Sequence, residues 1–157
     1  MDTEAPADTL PVWVGLAVAS AALCGVALGL PTGTPDASTV ARTVDEAASS
    51  PHDATTTTRL SAADRLELGR HALDRCRGDA CGHATFTYGP VTPVGDGESL
   101  ARVLAGRSPA SVFDSPATFR RAVERAREDA PVVVDGATRL TARHVTWGGV
   151  DVTLVGA

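Results

Sequence analysis

The sequence predicts an N-terminal transmembrane helix followed by a small α+β domain, an antiparallel sheet of about four to five strands with two helices. Three observations predict it. Val12 to Leu30, VWVGLAVASAALCGVALGL, runs without a charge or a proline, and as a helix of about 1.5 Å rise per residue it spans roughly 28 Å, close to the hydrocarbon thickness of a bilayer. Downstream, several short runs alternate apolar and polar residues with the strand period of two. Two further stretches place capping signals ahead of apolar residues at helical spacing. The chain therefore divides into an acidic leader (1–11), a transmembrane helix (12–30), a juxtamembrane helix with linker (31–59) and the α+β domain (60–157).

Composition bounds the rest. The chain has 157 residues, so removing the anchor and leader leaves room for one small core. All 14 basic residues are arginine, set against 19 acids. Carboxylates keep a surface hydrated when salt has shortened the Debye length to about 3 Å, so the balance reads as that of an extreme halophile; a high-GC genome alone would also favour Arg over Lys. A net charge of −5 with no basic cluster beyond Arg120-Arg121 argues against nucleic acid as a partner.

The leader, MDTEAPADTL, has no basic residue, whereas a secretory or pilin-type leader carries positive charge before its apolar segment. A retained anchor is the expectation, with cleavage at Ala27-Leu28-Gly29 as the alternative. Cys24 is not a lipidation site on this reading, because Leu23 stands where a small residue is required. Gly25 and Gly29, at helix spacing among other small residues, are the candidate helix–helix contact in the membrane. Arg42 is the one basic residue in the twenty that follow the anchor, so the positive-inside rule has little to act on. The domain is placed outside.

Pro31 and Pro35 end the helix. Val40, Val44 and Ala47 or Ala48 share one face of a short helix capped by Asp36 or Ser38, and Pro51 stops it. Residues 50–59, SPHDATTTTR, read as a linker of small polar residues. Arg65 to Leu73 reads as one strand whose parity changes at Gly69, as at a bulge. Ala84, Phe86 and Tyr88 give a second alternating run. Between the two, a four-residue hairpin loop would set Cys76 opposite Cys81. Glu98 to Ala105 is a helix stopped by Gly106. The next helix has Ser115 as cap, Pro116 in its first turn and Phe119, Ala122, Val123 and Ala126 as its buried stripe. Val132–Val134 is a short strand, and a Gly148-Gly149 turn closes a terminal hairpin on which Val150, Val152 and Leu154 share a face. Removing the last eight residues should destroy the domain.

Chemistry-bearing residues are few. His71, Cys76, Cys81 and His83 have metal-ligand types, but in the hairpin register His71 points through the sheet away from the other three, which leaves a tetrahedral zinc short of a ligand. Cys76 and Cys81 are then either a cross-strand disulfide, in an oxidising compartment, or two reduced thiols. Arg77-Gly78-Asp79 and Gly95-Asp96-Gly97 are polar turns. His144 and Asp151 could be joined on paper to several serines, yet none lies on a nucleophile elbow, and no catalytic residue, cofactor or metal is assigned. Trp147 and Tyr88 are expected to pack in the core or at a hairpin end.

Three phrases, YGPVTPVGDG at 88–97, VFDSPATFRRAV at 112–123 and HVTWGGVDVTLVGA at 144–157, together with the apolar N-terminus, resemble a haloarchaeal family of short membrane-anchored proteins of unknown function. The resemblance covers most of the chain and brings no catalytic residues. It implies a pilin-like or accessory subunit beside pilus or secretion machinery, with other small anchored subunits as partners. The chain departs from true pilins in lacking basic residues before Val12, so the resemblance does not extend to leader processing. The functional expectation is a non-enzymatic, single-pass anchored protein, structural or accessory in a surface or secretion assembly. An anchored ligand-binding or sensor domain is the second reading. A tethered enzyme is the third, and it would need a cleft around His71, His144 and Asp151.

Overall fold

The helix expected beside the membrane forms, and it belongs to the core. In the computed structural model, which describes residues 35–60 and 65–157, α1 spans Ala37–Ala48. The Asp36 carboxylate accepts from the Thr39 backbone N–H at 3.1 Å, satisfying one of the amides a helix start leaves open. Ala37, Val40, Ala41, Val44 and Ala47 recur at three- and four-residue spacing and are all buried. The compact unit accordingly spans Thr34–Ala157 rather than starting at residue 60. The leader, the stretch at 12–30, and Cys24, Gly25 and Gly29 lie outside the described residues. Among the described residues no helix is long and apolar enough to cross a membrane.

Among the described residues eight strands form two sheets, where one sheet of four to five was expected. The first has the order β1 (Ala54–Arg59), β7 (Arg139–Trp147), β8 (Val150–Gly156), β5 (Thr92–Pro93). The short β5 runs parallel to β8, and the other pairs are antiparallel. The second has the order β4 (Ala80–Thr85), β3 (Ala72–Arg77), β2 (Arg65–Leu68), β6 (Val132–Asp135), antiparallel throughout.

Two of the added strands correct the sequence reading. The supposed linker contains β1, because four consecutive β-branched threonines suit an extended edge and pair along β7 from Ala54 opposite His144 to Arg59 opposite Arg139. The supposed bulge at Gly69 is a reversal. Gly69 donates to the Ala72 carbonyl at 2.9 Å, and Leu66, Leu68 and Leu73 then face the same side as two paired strands. The loop between β3 and β4 is Gly78-Asp79, two residues rather than four, with Gly78 at φ +54. The register it sets is the expected one.

The core lies on both faces of the first sheet. On one side α1 packs with Leu140, Ala142 and Val155 and with the inner face of the second sheet, Leu66, Leu68 and Leu73. On the other, α2 (Ser99–Leu104) and α4 (Pro116–Glu128) cover Val145, Val150, Val152 and Leu154, and the one-turn α3 (Pro109–Val112) leads into α4. With α1 the helices number four among the described residues; α1 was expected beside the domain, and the one-turn α3 is the helix not expected. Ser115 caps α4 by accepting from Thr118 at 3.2 Å, and Phe119, Val123 and Ala126 are its buried face. Phe119 is fully enclosed, its ring centroid 5.3 Å from Phe113 and 6.0 Å from Trp147. Arg143 reaches from β7 to the Val103 and Arg107 carbonyls, satisfying acceptors left open where α2 ends.

Candidate functional site

The Gly148-Gly149 turn sets Trp147 opposite Val150 and so, three rungs along, His144 opposite Thr153. Both side chains point to the α1 face of the first sheet and are buried. His144 Nδ1 lies 3.2 Å from Thr153 Oγ1, and its Nε2 lies 3.3 Å from a carboxylate oxygen of Asp151, two residues before Thr153 on β8. A buried imidazole must have both nitrogens satisfied, and here both are.

These residues floor a cleft of about 330 Å³. Ala48 at the end of α1 and the Tyr88-Gly89-Pro90 loop form its wall. That loop is held by α1, because one Asp45 carboxylate oxygen accepts from the backbone N–H of Thr87 at 2.8 Å and of Tyr88 at 3.1 Å. From α4, Arg127 reaches round the sheet edge, donating to Thr92 Oγ1 at 2.8 Å and to the Pro90 carbonyl at 3.0 Å. Burial, reinforced by the charge of Arg70, lowers the Arg127 pKa. Tyr88, expected in the core or at a hairpin end, is 53% exposed at the rim and so is not a core residue.

Chemically the cleft offers a cation, a carboxylate and an enclosed imidazole. Thr153, the hydroxyl beside His144, sits buried in the middle of a strand and not on a sharp turn that would present it to a substrate. His71 does not line the cleft. Its Nδ1 instead stands behind Gly89, 3.3 Å from where a Cβ on that residue would lie. The meeting of Thr153 with His144 was readable from the Gly-Gly turn, which fixes the register. Arg127 carried no such signal, since its reach across the sheet edge depends on how α4 is seated.

The second constellation is on the outer face of the second sheet. Cys76 and Cys81 face each other with Cα atoms 4.0 Å apart, the narrow kind of antiparallel pair, and their sulfurs are bonded. On the adjoining rung His83 Nδ1 lies 2.7 Å from Asp74 Oδ1. Arg65 is opposite Cys76, and Glu67 opposite Asp74, on the same face. Among the described residues no group of three or more His, Cys, Asp or Glu is arranged to hold a metal. Arg77 ends β3 and Asp79 lies in the β3–β4 turn, and Gly97, at φ +78, lies in the turn before α2.

The described residues thus define a small α+β domain of two largely antiparallel sheets, with helices on both faces of one of them. The chain belongs to a family of unknown function (DUF7283), which matches residues 4–145. No curated protein and no solved structure matches it.

Proposed function

We propose that the chain is a single-pass, membrane-anchored, non-enzymatic protein of an extreme halophile, acting as a structural or accessory, pilin-like subunit of a surface or secretion assembly. The observation that carries this reading is the place of α1. Six residues of sequence separate the apolar run ending at Leu30 from a helix whose buried face is part of the domain core. A run of small polar linker would let a sensor domain sample the solution. A domain that begins almost at the end of its anchor is instead held at the membrane surface, as a subunit packed among other small anchored subunits would be. The family match over residues 4–145 spans anchor sequence and domain together, in keeping with one functional unit.

The test is photo-crosslinking in intact membranes at high salt, with a photoreactive residue at exposed Thr55 on the edge strand β1. Crosslinks to other small membrane proteins or to a second copy are expected. A chain that never crosslinks to protein would overturn the reading.

An anchored ligand-binding domain is the second reading. It is favoured by the cleft in which Arg127, His144 and Asp151 converge beneath an exposed Tyr88.

A further inference from the structure

We infer that Cys76 and Cys81 form a thiol–disulfide exchange site, open to a dithiol reductant while the domain stays folded. The first observation is placement. Inward residues of the second sheet, Leu66, Leu68 and Leu73, are fully buried, whereas the outward face carries Cys81, His83, Arg65 and Asp135 exposed, and among the described residues no helix packs over it. The bond therefore lies on solvent and not in the core.

The second observation is redundancy. β3 is paired on both sides, to β4 and to β2, and the β3–β4 turn is already set by Gly78 at positive φ. A link between residues only five apart removes less loop entropy from the unfolded chain than one closing a long loop. The hairpin has these supports besides the bond.

The third is the chemistry around the sulfurs. Arg65 stands directly across from Cys76, and a neighbouring guanidinium stabilises a thiolate. His83, whose imidazole is oriented by Asp74 at 2.7 Å, stands two residues from Cys81 on the same face. Glu67 on β2 and Asp135 on β6 are further charged groups of that face among the described residues. Exchange then runs in a defined order. A thiolate of the reductant attacks the Sγ of the more exposed Cys81, the Sγ–Sγ bond breaks, and Cys76 leaves as a thiolate beside Arg65. The reductant's second thiolate attacks the reductant's own sulfur in the mixed disulfide and releases Cys81, which lies two residues from His83 on the same face. Two electrons and two protons pass to the cysteines, and the dithiol becomes a disulfide.

The experiment reduces the full chain, in detergent and strong salt, with dithiothreitol. Free thiols are trapped with N-ethylmaleimide and read by peptide mass spectrometry, which separates Cys24 from the pair. Both Cys76 and Cys81 are expected to be alkylated with circular dichroism unchanged. Arg65→Gln should slow the first step roughly threefold, as expected for a less stabilised leaving thiolate. Alkylation only in denaturant, or loss of fold on reduction, would make the bond structural and overturn the inference. An unchanged rate in both Arg65→Gln and His83→Ala would overturn it too, by removing the neighbours that distinguish this site from any exposed disulfide.

Discussion

Asp36 shows how much one side chain can settle. Hydrogen bonds from the Thr39 side chain, then the Ser38 side chain, then the Thr39 backbone hold its carboxyl well below the ordinary aspartate value of 3.8. A pKa lowered on folding contributes stability that is present above the unfolded value and is lost as pH falls through the folded one. Acid unfolding should therefore steepen below about pH 4. Asp36→Asn keeps a capping oxygen but cannot titrate, and it should flatten that part of the curve, as circular dichroism against pH would show. Gly148 is the other decisive residue. At φ +57, an added Cβ would stand 2.3 Å from Pro116 Cγ, at the first turn of α4. Gly148→Ala combines a left-handed backbone with that collision and should destabilise by about 3 kcal/mol in a denaturant titration. Gly149, at φ +77 with open space around it, lacks the collision and should cost less. The turn itself was plain in the Gly-Gly dipeptide. The contact with Pro116 was not, because only the seating of α4 against β8 makes it.

At the scale of elements, legibility followed local signal strength. α4 and the β7–β8 hairpin were readable to within a residue or two, since cap, proline, apolar stripe and turn all agree there. β1 was missed because ATTTTR has no apolar alternation; its half-buried face is made of alanine and threonine, and its partner lies some eighty residues away. The β2–β3 reversal was missed because a parity change reads alike for a bulge and for a tight turn. α1 was found, but its role was not, since an apolar stripe does not say what it packs against. That role is testable. Val44 is fully enclosed between the sheets, so Val44→Ala should lower the stability of the whole domain by about 2 kcal/mol; a tether helix outside the domain would leave the midpoint unmoved. β8 is one of the two interior strands of its sheet and supplies Val152, Leu154 and Val155 to both core layers. Removing residues 150–157 should abolish the cooperative unfolding transition in calorimetry.

At the scale of the molecule, the features fit one account. The compact unit spans Thr34–Ala157, takes its first helix into the core, and shows polar and charged residues on its open faces. The disulfide face and the His144 cleft lie on different sheets, so one can be altered without the other. Of the two, the cysteine pair was legible in the sequence, since a hairpin turn fixes which residues oppose, whereas the cleft needed α1, α4 and the 88–90 loop to be brought together.

The most direct measurement is fractionation of cells in strong salt, with membranes washed at alkaline pH and then solubilised in mild detergent, comparing the full chain with one lacking residues 12–30. The account predicts that the full chain resists the wash and leaves the membrane in detergent as part of a larger complex with other small anchored proteins, while the shortened chain is washed free. A full chain released by the alkaline wash, or one solubilised only as a lone subunit, would contradict it.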